Sequence, residues 1–167
     1  FRGTGPAPYC YVARRGLQAG FVGTGFRARS REDIEHLAHA TGAAVRPLHR
    51  PGGGVGVTLV DPMGYTVDVV YGIEAAEPLP MRREPLPLNT PFEKRRVNAG
   101  QRPRLEPAAV YRLGHCVLQS VDFNTSATWY MRHLGLIPTD VQCLPDGRPA
   151  LAFMRTDRGE VPADHHA

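Results

Sequence analysis

Apolar and polar residues alternate or cluster between glycines over residues 9–15 (YCYVARR) and 21–28 (FVGTGFRA), a pattern that predicts two strands. Ser30-Arg31-Glu32-Asp33 follows as a capping-box start, whose side chains satisfy the free N–H groups of a first helical turn. Ile34, Leu37, Ala38 and Thr41 then recur at helical spacing and Gly42 stands at the C′ position, so a helix is expected over 31–41. Residues 45–48, 56–60 and 66–71 predict three short strands, turned at Pro51-Gly52-Gly53-Gly54 and at Asp61-Pro62-Met63-Gly64. The order is βαβββ.

Residues 73–110 break this rhythm. Pro78, Pro80, Pro85, Pro87, Pro91, Pro103 and Pro107 punctuate a polar stretch with little periodicity, expected to be a linker ordered in places by Leu86, Leu88 and Phe92. Beyond it the first pattern restarts. A strand is expected at 111–121, N-caps at Asn124-Thr125-Ser126, and a helix at 127–134 with Ala127, Tyr130 and Leu134 on one face and Gly135 at its end. Residues 141–144 and 150–155 read as strands around the turn Pro145-Asp146-Gly147, and a last strand is expected to begin near His165. Laying Gly23 on Gly114 sets Thr24 opposite His115 and brings Gly42 near Gly135. The offset of about 90 residues is too long for a solenoid and suits a duplicated module.

Composition agrees with short strands and many turns. Glycine (18) and proline (16) make up about a fifth of the 167 residues, which argues against a coiled coil or all-helical bundle. The formal charge of +4 is dispersed, and the densest basic run, Lys94-Arg95-Arg96, lies in the Pro-rich stretch. Without an aromatic-basic stripe this describes a solvated surface and not a nucleic-acid interface. No apolar run in the 167 residues reaches membrane-spanning length, and the first residues given do not read as a charged-then-apolar signal peptide. Cys10, Cys116 and Cys143 are odd in number and widely spaced, so neither a disulfide framework nor a zinc knuckle is expected, and a cytoplasmic setting follows. The chain begins at Phe1 and stops directly after His165-His166 and Ala167, so both ends are expected to be cuts.

Few residues stand out as carriers of chemistry. His115 lies in Leu113-Gly114-His115-Cys116-Val117-Leu118, where alternation puts His115, Val117 and Gln119 on one face and Cys116 and Leu118 on the other. Such a histidine is either half-buried and bonded to a carbonyl or a metal ligand inside a curled sheet. His165 and His166 point to opposite faces of a strand, so at most one shares a cavity with His115. His36 and His39, three apart on a helix, lack an accompanying carboxylate and read as solvated, as do His49 and His133. Gly52-Gly53-Gly54-Val55-Gly56 lacks the Lys-Ser/Thr of a P-loop and leads into a strand, so it is a hairpin connection. Asp68 in Thr66-Val67-Asp68-Val69 reads as structural, and no nucleophile elbow occurs.

The βαβββ repeat, the DPxG turn before a module's last strand, LGHCVL at 113–118 and DHHA at 164–167 together resemble the vicinal-oxygen-chelate superfamily. Within it the pattern is most similar to the two-domain extradiol ring-cleaving dioxygenases, which carry four modules, two per domain. The resemblance implies an α+β fold of repeated βαβββ modules forming curled mixed sheets, truncated at both ends. Residues 1–19 would be the tail of a first module, 20–72 a metal-free second module, 73–110 the crossover, and 111–167 most of a third. His115 matches the family's first iron ligand, and His166, 51 positions later, matches the catalytic histidine facing the substrate. The second histidine ligand, the glutamate ligand and a late tyrosine acid would lie beyond residue 167.

The implied cofactor is Fe(II), with Mn(II) accepting the same N/O ligand set. Two imidazoles and one carboxylate on one face of the metal leave positions for a chelating catechol and for O2. An imidazole beside the reacting oxygen stabilises developing charge and transfers a proton near neutral pH. The implied partners are a small aromatic diol and O2, with no nucleic acid or membrane, in a homo-oligomer. The 167 residues alone are expected to be inactive. Two other readings stand beside this one: a metal-free ligand-binding module like the bleomycin-sequestering proteins, and a glyoxalase-like isomerase or epimerase.

Overall fold

The computed structural model describes residues 1–80, 88–98, 100, 105 and 107–166. It is an α+β arrangement of two helices with a mixed four-stranded sheet and a two-stranded hairpin. The first half runs β1 (Gly23–Arg27), α1 (Arg31–Thr41), β2 (Arg46–Pro47), β3 (Val55–Val60) and β4 (Thr66–Tyr71), the βαβββ order expected from the pattern. Its sheet is ordered β1-β4-β3-β2. β1 pairs in parallel with β4, from Gly23 opposite Thr66 to Arg27 opposite Val70, and the remaining pairs are antiparallel. The glycine at 23 permits this approach, because a Cβ there would collide with the Thr66 carbonyl.

α1 forms where its caps dictate. The Ser30 hydroxyl accepts from the Asp33 amide at 3.2 Å and the Asp33 carboxylate accepts from the Ser30 amide at 3.0 Å. Gly42 closes the helix in the left-handed region at φ 72°. Ile34 on its inner face is fully buried with Val57 and Val67, and Leu59 and Val69 complete the sheet's side of the core. The glycine run at 52–54 links β2 to β3 as a hairpin connection, all three glycines at positive φ.

The second half contains α2 (Phe123–Leu134), β5 (Ile137–Cys143) and β6 (Pro149–Arg155). α2 begins four residues earlier than expected, because its cap is Asp122 and not the Asn124-Thr125-Ser126 run. The Asp122 carboxylate accepts from the Thr125 amide at 3.0 Å and from its hydroxyl at 2.7 Å. Gly135 ends the helix as expected, at φ 63°. β5 and β6 pair antiparallel across the Pro145-Asp146-Gly147 turn. Tyr130 of α2 and the following Leu136 join the core built by Ile34, Val57 and Val67, with Phe26, Leu118, Trp129 and Met154 packed at its margin.

Three expected strands do not form. Residues 9–15 carry no ladder: residues 4–6 bond instead to segments 76–79 and 110–111, and residues 11–15 are exposed. Residues 111–121 keep the alternation, with Cys116, Leu118 and Ser120 half-buried and His115, Val117 and Gln119 exposed. Among the described residues no backbone ladder joins 112–121 to another segment, so the stretch is extended without being a strand. A Cβ at Gly114 would meet nothing within 4 Å, in contrast to its sequence counterpart Gly23. No strand begins near His165 among the described residues either. The second half is therefore αββ flanked by irregular chain. In the crossover, Leu88 is exposed and Phe92 is 98% exposed, so neither anchors it; Leu86 lies outside the described residues.

Candidate functional site

His115 is delivered by the extended stretch 111–121, which side chains hold in place of a ladder. The Cys116 thiol lies 3.4 Å from the Thr24 hydroxyl of β1, and the Ser120 hydroxyl lies 2.7 Å from that of Ser126 on α2. Cys116, Leu118 and Ser120 are half-buried, and His115 and Val117 between them are more exposed.

His166 arrives from the chain after β6. The Thr139 hydroxyl of β5 is 2.6 Å from the His165 carbonyl and 3.0 Å from the Phe153 carbonyl, a bifurcated donation that ties the terminal segment to the hairpin. The Asp164 carboxylate accepts from the His165 amide at 3.0 Å. This brings the His166 ring to 4.2 Å from the His115 ring, centroid to centroid, at an interplanar angle of 65°. Phe153 of β6 stacks beside both terminal histidines, 5.1 Å from His165 and 5.3 Å from His166. The two Nδ1 atoms of His165 and His166 are 3.2 Å apart. One must donate and the other accept, leaving Nε2 of His166 as its unengaged nitrogen.

Both His115 and His166 line a cavity of about 220 Å³ between the 115–120 stretch, α2 and β6. Its wall is mainly apolar, with Phe26, Leu118, Leu136, Phe153 and Met154, and Tyr130 adds a hydroxyl. That hydroxyl donates to the Asp61 carboxylate at 2.8 Å, and Asp61 also accepts the Met63 and Tyr65 amides at 2.9 Å. Burial first, and then the bond to Asp61 and its charge, push the Tyr130 phenol above its ordinary value of 10.0. Tyr130 is thus held as a neutral donor.

The other residues singled out from the sequence lie elsewhere. His165 does not line the cavity. His36 and His39 are exposed on α1, and His49 is exposed beside β2. His133, expected to be solvated, is half-buried with its ring 4.9 Å from that of Trp129. Asp68 is tied up structurally: Arg50 Nη2 donates to Oδ2 at 2.8 Å and the Thr58 hydroxyl donates to Oδ1 at 2.7 Å. All three cysteines are unpaired as disulfides. Among the described residues no three His, Cys, Asp or Glu side chains converge in a metal-holding group.

Sequence reasoning missed Thr139, Phe153 and Tyr130 as builders of the site. Each acts through a contact across 12 to 69 residues, a separation at which neither periodicity nor motif gives a signal. No helix among the described residues is long and apolar enough to cross a membrane. No protein-family model matches the chain, and no curated protein matches it either.

Proposed function

We propose that the chain contributes to an Fe(II)-dependent extradiol dioxygenase site of the vicinal-oxygen-chelate kind, which opens the ring of a small catecholic diol with O2. The observation that carries the reading is the contact of His115 and His166, 51 residues apart in sequence, with ring centroids at 4.2 Å on one small cavity. In kind these donors fit the iron, which favours imidazole and carboxylate ligands; in number they supply one ligand of three. On this reading His115 donates its nitrogen to the metal, and a second histidine and a carboxylate come from sequence after residue 167. Iron, when bound, supplies the redox-active Lewis acid that lets a spin-paired catechol react with O2.

The chain's own residues have separate tasks in this proposal. His166 faces the substrate oxygens through Nε2, because Nδ1 is engaged with His165. It takes a proton from a substrate hydroxyl there and returns it as the ring opens. Phe153 and the Thr139 bond keep that ring in position. Leu118, Leu136 and Met154 supply apolar walls that exclude water from a single-ring substrate. Residues 20–72 act as the metal-free module, with Thr24 where the third module has His115.

The test uses the complete gene product, loaded anaerobically with Fe(II), given catechol and then air. A coloured ring-opened product that vanishes in His115→Ala supports the dioxygenase. Catechol or another aromatic bound with no dependence on iron, and no product, overturns it in favour of a metal-free binding module. Ring cleavage by the 167 residues alone also overturns it, because that segment lacks the full ligand set.

A further inference from the structure

The side of the four-stranded sheet away from α1 carries a second cavity, unrelated to the histidine pair. Alternation turns Val57, Leu59, Val67 and Val69 toward α1 and leaves Gly56, Thr58, Asp68 and Val70 on the opposite face. Over that face lies a cavity of about 790 Å³, a volume within the usual range for small-molecule sites. Arg46 of β2, His49 and Arg50 from the chain after it, and Arg14 from the N-terminal segment form its polar wall. Leu48 and Val70 supply an apolar floor. Gly56 keeps that floor open, since a Cβ there would meet the Val69 carbonyl at 3.0 Å and Leu48 at 3.2 Å.

Charge distinguishes this cavity. Among the described residues Asp68 is the one carboxylate on its wall, and both its oxygens are already engaged, by Arg50 at 2.8 Å and by Thr58 at 2.7 Å. The guanidinium of Arg50 also lies 5.9 Å from the centre of the Tyr9 ring, which fixes its direction. Arg14 and Arg46 enter no ion pair among the described residues. Three arginines and one carboxylate therefore line the concavity, and of the arginines only Arg50 is paired, so among the described residues the charges of Arg14 and Arg46 have no carboxylate partner. Guanidinium forks recognise planar or tetrahedral oxyanions through paired N–H donors. A ligand with an anionic head and an apolar body would satisfy both the arginines and the floor.

We propose that this cavity binds a small organic anion, its carboxylate or phosphate held by Arg14 and Arg46 and its apolar body seated on Leu48 and Val70. The site needs nothing from the iron reading and stands or falls without it.

Amide chemical shifts of the chain, followed during titration, test the site. Benzoate probes a carboxylate on an apolar ring, inorganic phosphate probes charge alone, and benzyl alcohol is the neutral control. The expected result is saturable shifts at residues 42–50 and 56–58 with an anion and none with benzyl alcohol, weakening as ionic strength rises. Tighter benzoate than phosphate identifies carboxylate-plus-ring recognition; the reverse identifies a phosphate ligand. The double variant Arg14→Gln, Arg46→Gln, both exposed positions, should bind about tenfold more weakly or worse. Arg31→Gln on α1, whose guanidinium pairs with Glu35, should bind as the parent does. No saturable shift with either anion, or equal affinity in the double variant, overturns the proposal.

Discussion

What a histidine can do is set by which nitrogen its neighbours leave over, and at the terminal pair that nitrogen is Nε2 of His166. If His166 handles the proton, His166→Gln in the complete iron-loaded enzyme lowers kcat by about 10²- to 10⁴-fold while iron content holds. Steady-state kinetics with metal analysis checks both halves of that expectation. Tyr130 is the other residue whose surroundings define its state. Its hydroxyl reaches Asp61 across 69 residues at 2.8 Å inside the core, so Tyr130→Phe leaves a buried carboxylate short of a donor. Urea unfolding should register a loss of about 1–3 kcal/mol. Burial of that phenol, and after it the bond to Asp61, sets an alkaline trend. A phenol held above its ordinary value of 10.0 contributes stability that is complete below pH 10 and is lost as pH rises toward the folded value. Unfolding midpoints in the parent should fall above pH 10 more steeply than in Tyr130→Phe.

At the scale of elements, helix ends and strands follow different rules. The ends of α1 are local chemistry: a hydroxyl and a carboxylate three residues apart, and a glycine where the chain must turn left-handed. Ser30→Ala should cost about 0.5–2 kcal/mol in thermal or urea unfolding. The cap of α2 is a carboxylate, and its two bonds to Thr125 hold Asp122 below the usual carboxylate range. A depressed pKa contributes stability that is present above the ordinary value of 3.8 and lost as pH falls through the folded one. Acid titration of helicity should therefore show α2 weakening below about pH 4, and Asp122→Asn should remove that dependence while keeping the cap. Strands need a second segment. Residues 66–71 find β1 on one side and β3 on the other, whereas among the described residues 112–121, with a regular alternation of its own, is held to other segments by side-chain contacts and not by a ladder.

Across the whole molecule one apolar cluster runs from Ile34 on α1 through Val57 and Val67 to Tyr130 and Leu136. Ile34 is fully buried at its centre, so Ile34→Ala should cost about 2–5 kcal/mol. Because residues of both halves share that cluster, the loss should appear as one earlier transition, alike by near-ultraviolet signal and by helix content. The sequence by itself determined what depends on neighbours a few residues away: both helices, their glycine C-caps, the β3–β4 and β5–β6 turns, and the alternation along 115–120, though not which of its faces turns inward. His115 and His166 stand out only through the resemblance carried by the LGHCVL and DHHA motifs, since alternation alone leaves both open between structural and functional roles. The tertiary structure alone decided which alternating segments acquired ladders, that Asp122 and not Asn124 opens α2, and that Leu88 and Phe92 stay in solvent. It alone set Thr139, Phe153 and Tyr130 around the two histidines and gathered Arg14 with Arg46 over one concavity. The reason is physical: propensity and capping are settled within a turn or two of chain, whereas ladders, ring contacts and shared cavities depend on which distant segments meet.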